Sequence, residues 1–111
     1  MRFNYRLSRS AKRNLQEISG YWVAQTGEDV TLRIVTGILE TIITLSSQPR
    51  AGAPAGQFGD GVRKFAAGKY IIYYRLHPPS TVEALHVFHG ARDQRKAWLG
   101  KSKPGSPPPP V

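Results

Sequence analysis

The sequence predicts an α+β domain in which an N-terminal helical hairpin packs on a small, mainly antiparallel sheet, in the order β-α-α-β-β-β. Three observations lead there. A short alternating run is followed by two amphipathic helical stripes with only a few residues between them. Past residue 48 the helical periodicity gives way to a Gly/Pro-rich loop and then to three β-type runs. A chain of 111 residues, 40% of them hydrophobic, suffices for one modest core and leaves no room for a separate cofactor-binding domain.

Residues 2–7 alternate charged and apolar types, with Phe3, Tyr5 and Leu7 on one face of a short strand. Ser8 or Ser10 then offers a helix N-cap, its hydroxyl oxygen accepting an orphan backbone N–H. Ala11, Leu15, Ile18 and Trp22 follow at helical spacing and form one apolar face, with Lys12, Arg13 and Gln16 turned outward. Thr26-Gly27 ends this helix. A second begins near Glu28 and Asp29, acidic residues suited to the positive end of a helix dipole. Val30, Ile34, Ile38, Ile42 and Leu45 carry its apolar stripe until Pro49 closes it. Two long helices joined so closely pack as an antiparallel hairpin.

Residues 48–61 hold four Gly and two Pro and read as a loop. The β-type runs cover residues 61–66, 69–76 and 81–89. Ala67-Gly68 forms a tight turn between the first two, and residues 77–80 turn the chain before the third. Ile71, Ile72, Tyr73 and Tyr74 are apolar or aromatic on both faces, as a central strand requires. Residues 92–99 form a short terminal helix that completes a single domain over 1–99. Residues 100–111, with Lys101, Lys103 and Pro107 to Pro110, cannot bury enough surface to order themselves and are expected to be a disordered tail.

Sixteen Lys and Arg against seven Asp and Glu give a formal charge of +9 and an isoelectric point near 10.4. Such a balance favours anionic partners, whether nucleic acid, an anionic membrane or an acidic protein segment. The absence of cysteine excludes disulfide frameworks, thiolate metal sites and cysteine nucleophiles, and fits a reducing cytoplasm. The first residues lack the apolar run of a signal peptide. No stretch matches the roughly 20 apolar residues of a membrane span, since residues 38–45 are broken by Glu40, Thr41 and Thr44. A soluble, cytoplasmic protein is therefore expected.

The charge is regional. Residues 63–103 hold nine basic side chains (Arg63, Lys64, Lys69, Arg75, Arg92, Arg95, Lys96, Lys101 and Lys103), opposed only by Glu83 and Asp93. The sheet and its C-terminal extension thus form the electropositive side, where an anionic partner docks. Arg75 lies within an apolar run and shares a strand face with Ile71 and Tyr73. A guanidinium there needs a partner such as Glu83 or Asp93, or it lines a groove. Arg63, in the neighbouring strand, stands beside Arg75 in one possible register. Two such arginines grip a carboxylate or a phosphate equally well, so residue types do not choose between RNA and an acidic peptide. His86 and His89 fall on opposite faces of a strand and cannot share a metal. His89 alone is a candidate acid or base, against the plainer reading of a hydrogen-bonded structural residue. Gly56, Gly59 and Gly61 neither follow a strand nor lead to Gly-Lys-Ser/Thr, so they make no phosphate loop. No cofactor or metal is expected.

Four segments together resemble the ParE branch of the RelE/ParE toxins of type II toxin–antitoxin systems. They are Leu7-Ser8-Arg9-Ser10-Ala11 leading to Leu15, Ile18, Tyr21 and Trp22; Pro49-Arg50-Ala51-Gly52; Val62-Arg63 with Tyr70 to Arg75; and Val87 to Asp93. The resemblance implies the same β-α-α-β-β-β fold and a toxin neutralised by a cognate ParD-like antitoxin. The antitoxin's C-terminal segment is expected in the groove between hairpin and sheet, with Tyr73 contributing, in a hetero-oligomer. ParE-like members poison DNA gyrase, which implies inhibition by binding, with no catalytic residue. RelE-like relatives cut messenger RNA on the ribosome, and in that alternative Arg63, Arg75 and His89 would be the catalytic residues, the histidine serving as proton acceptor. A third reading is a non-toxic basic binding module. Antitoxin- or target-binding residues are expected among Arg63, Tyr73, Arg75, His89, Arg92, Arg95, Lys96 and Trp98.

Overall fold

The computed structural model describes residues 4–78 and 80–99. The chain runs β1 (Asn4–Leu7), α1 (Arg9–Thr26), α2 (Glu28–Ser47), β2 (Ala53–Pro54), a 3₁₀ turn (Gly56–Phe58), β3 (Arg63–Ala67), β4 (Tyr70–His77), β5 (Thr81–His89) and α3 (Gln94–Trp98). The strands form one sheet in the order β1-β5-β4-β3-β2. Every neighbouring pair is antiparallel except β1–β5. The α+β architecture is the expected one, with one strand more than the sequence pattern announced. In the stretch read as a loop, Ala53 and Pro54 pair with Lys64 and Arg63. Two residues are too few to show a period, and Pro54, with no N–H to give, is suited only to a sheet edge.

Of the two candidate caps, Ser8 is used, and its Oγ accepts from the Ala11 amide at 3.0 Å. The same hydroxyl donates to the Leu85 carbonyl at 2.8 Å. Buried Asn14, one turn on, accepts from the Val87 amide through Oδ1 at 2.9 Å. β1 pairs only with Thr81 to Ala84, so the start of α1 takes over the β5 edge where β1 stops. α1 and α2 meet at Gly27, with Glu28 and Asp29 in the first turn of α2. Their facing stripes (Ala11, Leu15 and Ile18; Ile38, Ile42 and Leu45) pack on Tyr70, Ile72, Tyr74, Val82, Ala84 and Val87. By length and composition alone α2 is apolar enough to cross a membrane, contrary to the expectation above. Here its inward stripe forms the core.

The other sheet face carries a second, smaller core of Tyr73, Phe88, Ala55, Val62 and Ala97, with Phe58 and Trp98 against it. β4 is therefore covered on both sides, as its continuous apolar run required. Tyr73 pairs with His86 but Tyr74 with Ala84, so Leu85 is an extra residue in β5. The tight turn between β3 and β4 falls at Gly68, whose φ of +62° strains any side chain. Phe3 and the tail from residue 100 lie outside the described residues.

Candidate functional site

Arg63 and Tyr74 face each other across β3 and β4, on the hairpin side, where Tyr74 is part of the main core. The Tyr74 hydroxyl donates to the Pro49 carbonyl at 2.8 Å and accepts from the Gly52 amide at 2.9 Å. The Arg63 guanidinium donates to the Gly52 carbonyl at 2.7 Å. These three bonds fasten the Pro49 to Gly52 loop to the sheet. A side chain at Gly52 would place its Cβ 2.7 Å from the Lys64 carbonyl oxygen, which fixes glycine there. Burial raises the Tyr74 pKa, against the opposing pull of the Gly52 bond and Arg63.

Further along the same face, the hairpin and the β3–β4 turn leave a solvent-open cleft of about 600 Å³. Trp22, Val30, Ile34, Gly37, Ile38 and Thr41 line it from the helices, and Ala67 to Tyr70 from the sheet. Arg33 and Lys69 supply its cations. Trp22 Nε1 donates to the Tyr70 hydroxyl at 2.7 Å and ties one wall to the other. Burial raises the Tyr70 pKa, the Trp22 bond opposing it. His89 pairs with Tyr70 across β4 and β5, and the two rings meet edge to face at 5.3 Å. Its Nδ1 accepts from the Ala91 amide at 3.1 Å. Burial, then Lys69 and Arg92, holds its pKa below the ordinary value. It is a neutral, hydrogen-bonded ring at the back of the cleft wall.

Tyr73 is not in this cleft, contrary to the expectation that it joins the groove. It faces the opposite side of the sheet and is only 2% exposed. There Tyr73 and Phe58 meet edge to face, and Trp98 stacks on Phe58 at 5.0 Å. Trp98 thus packs α3 onto the sheet. The Tyr73 hydroxyl donates to Gln94 Oε1 at 3.0 Å, and Gln94 Nε2 donates to the carbonyls of His89 and Arg92. Asp93 caps α3 by accepting from the Lys96 amide.

Arg75 alternates onto this open face with Ile71 and Tyr73, as expected. Glu83 stands opposite it in register, but its carboxylate is occupied by His77 Nε2 at 2.8 Å and Arg6 Nε at 3.2 Å. Burial works against ionisation of Glu83, yet these two partners prevail and lower its pKa. Among the described residues no ion pair reaches Arg75. Nor does Arg63 stand beside it, because Arg63 pairs with Tyr74 on the hairpin face. His89 shares that face but is paired with Tyr70, four residues from Tyr74 along β4, about 13 Å at strand rise. The structure therefore separates Arg63, Arg75 and His89 instead of gathering them. Arg95 and Lys96 are exposed on α3, and Arg92 lies half-buried in the turn before it. Trp22, Arg33, Lys69 and Tyr70, the residues of the cleft, were visible only as a helix stripe, a helix charge and a strand start.

A helical hairpin packs on a sheet whose first and last strands run parallel, with an open cleft between the layers, and solved chains from toxin–antitoxin systems share this fold. A chain of a chromosomal ParDE system from P. aeruginosa shares the fold at a TM-score of 0.67, with 20% identity over 78% of this chain and 95% of that one. A chain of the RelBE2 toxin–antitoxin complex from Mycobacterium tuberculosis does so at 0.62, with 25% identity over 80% and 99%. A family model described as the ParE toxin of the type II toxin–antitoxin system parDE matches residues 5–94. Toxin ParE1 of Caulobacter vibrioides is 31% identical over 96 residues, 86% of this chain and 97% of the relative. Toxin ParE1 of Mycobacterium tuberculosis is 27% identical over 93 residues, 84% and 95%. The chain belongs to the ParE toxin family of type II toxin–antitoxin systems.

Proposed function

We propose that this toxin acts in the cytoplasm by binding DNA gyrase, and that a ParD-like antitoxin restrains it in a hetero-oligomer through a segment seated in the cleft between hairpin and sheet. The cleft carries the antitoxin part of this reading. It is open, walled by Trp22, Ile34, Ile38 and Tyr70, and edged by Arg33 and Lys69. Apolar side chains of a partner segment would supply the affinity there, and acidic ones its orientation. The P. aeruginosa and M. tuberculosis neighbours, which come from a ParDE system and a RelBE2 complex, support a toxin that works with an antitoxin.

Inhibition by contact is favoured over messenger cleavage by the separation of Arg63, Arg75 and His89. In-line attack by a 2′-hydroxyl needs a proton acceptor and charge stabilisers within hydrogen-bond reach of one another's substrate atoms. His89 has its Nδ1 lone pair engaged by Ala91, and the arginines lie on opposite sheet faces. The test titrates the purified protein into gyrase supercoiling and DNA-cleavage assays, with a ribosome-programmed messenger assay in parallel. Accumulating gyrase–DNA cleavage complexes with intact messenger are expected. Cut messenger with unimpeded gyrase would overturn the reading in favour of the ribonuclease.

A further inference from the structure

The charge of this molecule is sorted by layer. The helical hairpin carries four basic side chains (Arg9, Lys12, Arg13, Arg33) and four acidic ones (Glu17, Glu28, Asp29, Glu40), so the whole formal +9 resides on the sheet, its loops and the chain ends. On the open face, Lys64 extends from β3 beside Tyr73, and Arg75 from β4 two residues further on. Strand geometry sets them about 8 Å apart. Arg95 and Lys96 extend from α3, which packs on that face through Ala97 and Trp98. Two carboxylates of the face are committed internally, Glu83 to Arg6 and His77 and Asp93 to the α3 cap, and Asp60, exposed in the loop beside Arg75, makes no ion pair among the described residues. Among the described residues none of the four cations has an ion-pair partner.

We propose that this open face binds the phosphate backbone of duplex DNA without reading its sequence. The choice of occupant follows from what surrounds the cations. A single-stranded nucleic acid binds through exposed aromatic platforms, but Tyr73 and Phe88 are 2% and 1% exposed beneath α3 and the 3₁₀ turn, and the half-buried rings of Phe58 and Trp98 stack on each other. An acidic peptide needs apolar anchors to gain affinity; the larger apolar cleft, of about 600 Å³, lies on the other side of the sheet, and the open face has only the smaller recess beside Arg95, between Phe58, Trp98 and Leu99. What the open face offers above all is separated positive charge, which suits a regular array of phosphates. The surface is independent of the cleft, so a bound antitoxin segment there leaves it open.

The test uses the full-length protein and a fluorescein-labelled 20-base-pair DNA duplex, with affinity measured by anisotropy across a salt series. Four phosphate contacts predict a slope of log K against log salt of about −3 to −4. Lys64→Ala, Arg75→Gln, Arg95→Ala and Lys96→Ala are each expected to flatten the slope by about one unit. Lys12→Ala and Arg13→Ala, on the outer face of α1, are expected to leave it unchanged. Circular dichroism confirms folding, and Lys64, Arg95 and Lys96, which are exposed, carry the test if Arg75→Gln does not fold. The proposal fails if the duplex does not bind at low salt, or if the slope ignores the open-face substitutions. It also fails if a single strand or a polyglutamate of equal length binds more tightly than the duplex.

Discussion

His86 shows how one residue on this scaffold sets a pH dependence. Its ring lies against Phe88 at 4.8 Å and Trp98 at 4.2 Å, and Nδ1 is buried without a hydrogen-bond partner among the described residues. Burial lowers its pKa from the ordinary 6.5, and His89 is shifted the same way. A histidine held neutral by the fold contributes stability that is complete above its unfolded value. The contribution is lost as pH falls below that value, where the unfolded chain takes up the proton first. The urea midpoint is therefore expected to be level from pH 8 to 7 and to drop as the pH falls below about 6.5. His86→Phe should shrink the drop, leaving the share of His89. A midpoint indifferent to pH, or a drop of equal size in the variant, would contradict this account. Arg63 teaches a different lesson at the same scale. Its type and strand suggested an anion grip, but the Gly52 carbonyl claims the guanidinium, a bond between residues whose approach no spacing rule encodes.

At the scale of elements, the junction of β1, α1 and β5 is the point most exposed to a single change. The nine residues of β5 meet only four of β1, and Asn14 satisfies the Val87 amide beyond that overlap. Asn14→Leu keeps the branched shape and gains helix propensity but strands a buried N–H, a loss of about 1–3 kcal/mol. Equilibrium denaturation is expected to show it, while Gln16→Leu, on the exposed side of the same helix, should be nearly silent. The helices were legible because their apolar stripes repeat at 3.6 residues, and β3, β4 and β5 because turn residues separate them. β2 was not, since two paired residues have no period. The third helix began at Gln94 instead of residue 92 because Asp93, which caps it, must itself stay extended.

At the scale of the molecule, the two sides of the sheet are given different work: an apolar cleft under the hairpin, a cationic surface over α3. Gly37 allows the first to be tested alone. It lines the cleft, and a Cβ there meets nothing within 4 Å. Gly37→Leu should therefore leave the fold intact and raise its stability by up to about 1 kcal/mol through helix propensity. It should also obstruct the cleft and weaken antitoxin binding at least tenfold, read by calorimetric titration. An affinity unchanged by the leucine would place the antitoxin elsewhere.

The sequence by itself determined the order of the two long helices and of the strands β1, β3, β4 and β5, the basic character and, through four short segments, the toxin family. These rest on local periodicity, turn chemistry and composition, which neighbouring residues set together. Only the tertiary structure decided which side chains meet. The pairing of β3 with β4 assigns Arg63 and Arg75 to opposite faces, and the packing of the hairpin on one face of β4 puts Tyr70 in the cleft where Tyr73 was expected. In a sheet, a register settled by long-range packing turns each side chain toward one face or the other, and that choice is not written in any local stretch of the chain.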